Sequence, residues 1–98
     1  MSEPIYKFFR GGFLPDWYQL SQEQQKSLLA KLNEALEKVG AKRMLLCNAY
    51  WCTDQWIYAG VEEFPNIEAV QKYMATLQEL NWDRYTEATS LLGTKWEP

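Results

Sequence analysis

The sequence contains no histidine among its 98 residues. Serine–histidine–aspartate and cysteine–histidine catalytic sites are therefore excluded within this chain, as are histidine-ligated haem and histidine-containing zinc sites. Proton transfer near neutral pH would depend on carboxylate, lysine, tyrosine or cysteine side chains with shifted pKa values. We therefore expect a protein that works without a metal and without a cofactor.

Cysteine is scarce, with Cys47 and Cys52 as the two in the sequence. Two thiols five residues apart, with no histidine to join them, make a poor metal site. If this segment is a strand, the two side chains point to opposite faces of the sheet and cannot form a disulfide with each other. We interpret them as reduced thiols in the core of a protein from a reducing compartment.

The sequence also lacks an excess of positive charge. Its formal net charge is −3, and the lysines and arginines are scattered. Nucleic acids and anionic lipid surfaces attract clustered basic residues, so we expect neither as a partner. No apolar run reaches the roughly 18 residues of a membrane-spanning helix, and no charged-then-apolar leader opens the chain. A soluble, cytoplasmic protein is the expectation.

Aromatic residues, by contrast, are abundant: five tryptophans, six tyrosines and four phenylalanines. The length allows one domain, spanning residues 1–98. A monomer of this size would struggle to bury so many rings in a single core. The composition therefore indicates a second apolar surface that a ligand or a partner covers.

Two helices are predicted from caps and apolar spacing. Ser21 followed by Gln24 is a capping-box pattern, and the apolar stripe behind it continues to Val39, with Gly40 as the expected stop. Asn66 is the expected cap of the second helix. Its predicted buried stripe consists of Val70, Tyr73, Met74, Leu77 and Leu80, with Asn81 as the stop.

Four strands are predicted around these helices: Ile5–Arg10, Arg43–Cys52, Trp56–Phe64 and Arg84–Leu92, with a turn at Thr53–Gln55. The order βαββαβ is the ferredoxin-like pattern. It predicts an α+β domain with a four-stranded antiparallel sheet and both helices on one face.

One face of such a sheet is left uncovered by the two helices. The small side chains of Ile57, Ala59 and Val61 suit packing against helices, so we expect them on the covered face. The open face is then expected to carry Met44, Leu46, Asn48, Tyr50, Trp56 and Tyr58. Because such a face is largely apolar, a two-fold pairing of sheet on sheet is expected to bury it.

The run Glu63–Gln71, leading into Leu77–Tyr85, resembles the strand–helix–strand half of dimeric α/β-barrel proteins, and the strand Trp56–Val61 is similarly placed. The resemblance implies a homodimer whose sheets curl into a barrel, with a pocket between each sheet and its own helices or loops. The superfamily includes cofactor-independent monooxygenases acting on polycyclic phenols, haem-dependent enzymes, muconolactone-isomerase-like proteins and stress-response proteins. The lack of histidine separates this chain from the haem-dependent members.

Polar residues expected among apolar neighbours are the candidate site residues. Asn48 and Tyr50 form hydrogen bonds across the dimer interface, face solvent at its edge, or orient a phenol or carbonyl group. Lys7 lies in the middle of its strand, where facing the helices would bury its charge, so we expect it on the open face within reach of Glu87. That pair is either a cross-strand ion pair or a catalytic pair, with Glu87 as general base and Lys7 stabilising an enolate or phenolate.

The apolar loop Phe13–Tyr18 follows the first strand. Its aromatic residues, Trp17 among them, either cover a pocket as a lid, plug the end of the barrel or pack beneath the first helix.

Two classes of function remain open. One is a small enzyme that acts on an apolar or aromatic molecule in the manner of a cofactor-independent monooxygenase or isomerase. Its catalytic residues would be Glu87, Lys7 and Asn48, and its ligand-binding residues Tyr50, Trp56, Tyr58, Trp17, Met44 and Leu46. The other is a non-catalytic dimer that binds a small ligand, similar to stress-response members, or that serves as an assembly module.

Overall fold

The computed structural model describes residues 3–98. Its elements in chain order are β1 (Ile5–Phe13), α1 (Pro15–Gln19), α2 (Gln22–Lys38), β2 (Lys42–Asn48), β3 (Tyr58–Phe64), α3 (Ile67–Glu79), α4 (Trp82–Tyr85) and β4 (Thr86–Gly93).

The four strands form one antiparallel sheet in the order β2-β3-β1-β4. The two long helices, α2 and α3, pack on the same face of this sheet, where the core lies. Core side chains from both helices and from β3 are Leu32, Leu36, Phe64, Val70, Tyr73 and Leu77. The predicted α+β, ferredoxin-like arrangement is therefore confirmed, with two short helices, α1 and α4, added to it.

Both long helices begin where the sequence predicts. The Ser21 hydroxyl accepts a hydrogen bond from the Gln24 backbone N–H at 3.1 Å, and the Gln24 side chain accepts one from the Ser21 N–H at 2.9 Å. At the start of α3, the Asn66 side chain accepts from the Ala69 N–H at 2.8 Å. Each cap satisfies a backbone donor that has no partner within the helix. Gly40 follows α2 with a φ of 77°, as expected of a glycine stop.

The hairpin between β2 and β3 has shorter strands than predicted. Its connection forms local hydrogen bonds instead of extending the ladder. The Asn48 side chain accepts from the Tyr50 N–H at 3.0 Å, and the Thr53 hydroxyl accepts from the Trp56 N–H at 2.9 Å. Short polar side chains of this kind compete with strand pairing for the backbone. Tyr50 and Trp56 therefore lie in the connection and not on a strand, which corrects the prediction for both.

The predicted assignment of the sheet faces is wrong for Ala59, Val61 and Tyr58, whereas Ile57 lies on the helix side as expected. Phe64 is fully buried in the core beneath α3. Because side chains alternate along a strand, Glu62, Gly60 and Tyr58 also face the helices, and Ala59 and Val61 face away from them.

A bulge in β2 also changes which of its side chains face the helices. Arg43 lies opposite Glu62 and Leu45 lies opposite Val61, which leaves Met44 as the extra residue. A bulge reverses the alternation of the strand that carries it. Leu46 therefore lies opposite Gly60 on the helix side, although the sequence placed it on the open face.

The two cysteines are free thiols in the described chain, and both are exposed. The expectation that they lie in the core is wrong. Cys47 lies opposite Ala59 at the edge of the open face, and Cys52 lies in the β2–β3 connection.

Within residues 3–98, no helix is both long enough and apolar enough to cross a lipid bilayer.

Gly60 lies where β3 packs closely against its neighbours. A methyl group there would overlap the Leu45 carbonyl oxygen and the Phe9 ring. We expect Gly60→Ala to lower the free energy of unfolding by about 1–3 kcal/mol, the usual cost of overpacking. Gly93→Ala is the control, because no atom lies within 4 Å of a methyl group at that position. Urea denaturation followed by circular dichroism measures both variants, and equal losses in the two would contradict the close packing at Gly60.

Candidate functional site

A cavity of about 470 Å³ lies between the sheet and the two long helices. Aromatic and aliphatic side chains make up most of its lining, including Phe9, Phe13, Leu29, Leu46, Tyr58 and Leu77. Gly11 helps to shape it, because the Tyr58 ring lies over the position that a side chain at Gly11 would occupy. The absence of a side chain on β1 thus makes room for an aromatic ring from β3.

Three charged side chains lie in a row along this cavity. Lys7 on β1 is the ladder partner of Glu62 on β3, and Glu62 is the ladder partner of Arg43 on β2. Residues that pair across strands point to the same face, so the register alone brings the three together on the helix side. The Lys7 Nζ lies 3.8 Å from Glu62 Oε1, and the Arg43 Nη2 lies 3.5 Å from Glu62 Oε2.

The Lys7 and Glu62 side chains are almost completely shielded from solvent, with exposures of 7% and 3% for the two residues. Burial raises the pKa of the Glu62 carboxyl above its ordinary value, and the neighbouring Lys7 and Arg43 cations offset only part of that rise. Burial likewise lowers the pKa of the Lys7 ammonium, against the opposing effect of Glu62. Both shifts have the same cause, since a charged group loses solvation when it leaves water.

Aromatic and sulfur groups surround the Lys7 ammonium. Its Nζ lies 5.2 Å from the centre of the Tyr73 ring and 5.9 Å from that of the Phe9 ring. It also donates to the Met74 Sδ at 3.5 Å. Cation–π contacts stabilise a desolvated ammonium, whereas a thioether sulfur is only a weak acceptor.

Solved structures that share this architecture include the following three, which differ in how much of their own length this chain covers. The R173A mutant of chlorite dismutase from Candidatus Nitrospira defluvii matches with a TM-score of 0.72 and 16% identity, over 99% of this chain and 42% of that chain. The putative chlorite dismutase TA0507 matches with a TM-score of 0.75 and 18% identity, over 99% and 47%. The RPA0582 protein of unknown function from Rhodopseudomonas palustris matches with a TM-score of 0.69 and 14% identity, over 100% and 86%.

This chain shares the α+β, ferredoxin-like fold of these structures. The resemblance seen in the sequence is thereby confirmed at the level of the fold. The chain spans less than half the length of the chlorite dismutase chains that it matches, and most of the length of the RPA0582 protein. No family model and no curated protein matches the sequence.

Within this fold, Lys7 does not face the open side of the sheet. It points into the cavity beside Glu62, which together with the surrounding rings compensates its buried charge. Nor does it meet Glu87. In the β1–β4 ladder, Lys7 lies opposite Leu92, whereas Glu87 lies opposite Gly12 at the other end of the strand pair. The expected Lys7–Glu87 pair is therefore wrong, because the register separates the two residues by five positions.

Of the remaining residues predicted from the sequence, Tyr58 and Leu46 line the cavity. Met44 and Tyr50 are exposed outside it, and Asn48 is engaged with the Tyr50 backbone. Trp56 lies beneath the Arg10 guanidinium, 4.9 Å from the ring centre. Catalysis by Glu87, Lys7 and Asn48 stays a prediction, and Lys7 is the member of that set that faces the cavity.

Trp17 lies in α1 and is buried. It stacks on Phe13 at 4.5 Å between ring centres and meets Trp82 edge-on at 5.9 Å. Phe13 and Trp82 both line the cavity, so Trp17 packs behind its wall and supports one end of it. This geometry favours a packing role for Trp17, and its role in ligand binding stays a prediction.

Glu62 and Arg43 are not among the site residues predicted from the sequence. For Arg43, the guanidinium also donates to the Asn33 side chain on α2 at 2.8 Å, which joins the helix layer to the charged row.

Among residues 3–98, no group of three or more histidine, cysteine, aspartate or glutamate side chains is arranged to hold a metal ion.

Glu62 is the shared anion of the row, so its loss should cost more than the loss of Lys7. Glu62→Gln leaves two cations facing each other. We expect it to lower the free energy of unfolding by about 3 kcal/mol. This is the lower end of the range for a broken buried ion pair, because Arg43 is partly exposed. Lys7→Met leaves the Glu62–Arg43 pair intact and should cost less.

Urea denaturation at neutral pH measures this order. Asp16→Asn, which removes a carboxylate from an exposed ion pair with Arg84, is the matched control and should change stability little. A larger loss for Lys7→Met than for Glu62→Gln would contradict the shared-anion arrangement.

Proposed function

We propose that the protein binds a small, largely apolar molecule in the cavity between the sheet and the helices. The cavity itself is the observation that carries the proposal, because it combines a volume of about 470 Å³ with a mainly aromatic and aliphatic lining. Binding sites for small molecules typically have this size and few polar groups, which fix the orientation of the ligand. Here the charged row of Lys7, Glu62 and Arg43 is proposed in that role, and Tyr58 and Leu46 are proposed as apolar contacts.

A neutral fluorescent probe, N-phenyl-1-naphthylamine, tests the proposal because its emission rises when it leaves water. We expect saturable binding to the wild-type protein. Leu29→Trp places a larger side chain at the cavity lining and should weaken binding by about tenfold or more, corresponding to roughly 1.4 kcal/mol of lost contact.

Ala30→Trp is the matched control for this variant. Ala30 is the next residue on the same helix, is exposed and is not part of the lining, so its substitution should leave the affinity unchanged. Circular dichroism spectra confirm that both variants are folded. If the two variants bind the probe equally, the probe does not occupy the cavity.

We further propose that the open face of the sheet pairs with the same face of a second copy. Its support is a row of apolar side chains that crosses all four strands at one register level: Leu45, Val61, Phe8 and Leu91. Leu91 is 70% exposed in the isolated chain. A continuous apolar row of this kind usually marks an interface, and a two-fold axis lets one patch cover itself.

Leu91→Glu tests this pairing, because it would bury a carboxylate within the proposed interface. We expect sedimentation velocity to show a dimer for the wild type at micromolar concentration and a monomer for the variant. Ile67→Glu makes the same change at an exposed apolar residue at the start of α3, on the helix layer, and should leave the dimer intact. A monomeric wild type would refute the proposed pairing.

A further inference from the structure

The charged row in the cavity carries one more positive than negative charge. Among the described residues that line the cavity, the charged ones are two cations, Lys7 and Arg43, and one carboxylate, Glu62. Lys7 and Glu62 are shielded from solvent, and about a quarter of the Arg43 side chain is exposed. Glu62 offsets only one of these two positive charges, so an anionic group placed beside Lys7 and Arg43 would be stabilised electrostatically.

Hydrogen-bond donors are also in excess in this row. The Lys7 Nζ lies 3.8 Å from the Glu62 carboxylate, beyond ordinary hydrogen-bond distance, and its side-chain hydrogen bond is to the weak acceptor Met74 Sδ. The Arg43 Nε is buried and has no hydrogen-bond partner among residues 3–98. Buried donors without acceptors are uncommon in proteins and are usually satisfied by another group.

One chemical group would balance the surplus positive charge and accept hydrogen bonds from both cations. A carboxylate brings one negative charge, which matches the single surplus positive charge, and its two oxygens accept from ammonium and guanidinium groups. A phosphate monoester would bring excess negative charge into the apolar lining, and an amine would be repelled by Lys7 and Arg43.

We infer that the cavity binds an amphipathic monocarboxylate, with its carboxylate against Lys7 and Arg43 and its apolar body against the aromatic and aliphatic lining. The inference deepens the proposed function and depends on it. Glu62 then holds the two cations in position between the strands, and the ligand satisfies the donors that Glu62 does not reach.

Three naphthalene derivatives with the same apolar body test the inference: 2-naphthoate, 2-naphthamide and 2-naphthylmethylamine. Each is titrated against the wild-type protein by calorimetry at neutral pH. We expect the carboxylate to bind about tenfold or more tightly than the amide, because hydrogen bonds between charged groups are stronger than neutral ones. The amine should bind most weakly of the three.

Lys7→Met tests the assigned residue, because methionine keeps an unbranched side chain and removes the charge. It should reduce the affinity for the carboxylate to that for the amide and leave the amide affinity unchanged. Arg43→Gln gives the same comparison should Lys7→Met fail to fold. Lys95→Met removes a lysine from an exposed site and should leave all three affinities unchanged.

Two results would overturn the inference and leave the small-molecule site in place: an amide or amine that binds as tightly as the carboxylate, or a preference for the carboxylate that survives in both Lys7→Met and Arg43→Gln. If no derivative binds the wild type and N-phenyl-1-naphthylamine does not bind either, the proposed function fails together with the inference.

Discussion

The packing of Phe64 against Tyr73 sets the orientation of the whole sheet. Phe64 is completely buried, and its ring lies 5.5 Å from that of Tyr73 on α3. Once Phe64 faces the helices, alternation along β3 places Glu62 and Tyr58 on the same side. The ladders with β1 and β2 then bring Lys7 and Arg43 to Glu62. One apolar contact thus decides which polar groups line the cavity and which apolar groups are left on the open face.

Charged side chains such as Lys7 and Glu62 are unusual in the interior of so small a domain. Burial disfavours both the Lys7 ammonium and the Glu62 carboxylate, as the directions of their pKa shifts indicate. A protein in which well-packed apolar side chains replace a buried ion pair is often at least as stable. Groups that carry such a cost beside a cavity are candidates for binding or chemistry, which is why the row is central to the function that we propose.

Much of the fold could be predicted from residues whose effect is local. Ser21 and Asn66 cap the two long helices because their side-chain oxygens reach backbone donors within three residues. The order of strands and helices then leads to the ferredoxin-like topology. The candidate site was harder to predict, because the choice of sheet face depended on contacts between distant residues. Lys7 was placed on the open face on the ground that charges avoid the core, and its partner on β3 was not anticipated.

The adjacent residues Glu62 and Glu63 were a signal in the sequence that a carboxylate faces the helices. Neighbouring residues of a strand point to opposite faces, so one of the two lies on the helix side. The extra residue in β2 had no comparable signal. Whether a bulge forms at Met44 depends on how β2 pairs with β3, and that pairing is a property of both strands at once.

The sequence by itself determined the order of the four strands and the two long helices, the helix caps and the lack of any histidine-dependent chemistry, because these follow from composition and from contacts within a few residues. Only the tertiary structure decided which face of the sheet is covered, which cation meets Glu62 and where the cavity lies. Those features depend on the register between strands far apart in the chain, and a shift of one residue would exchange every inward side chain for an outward one.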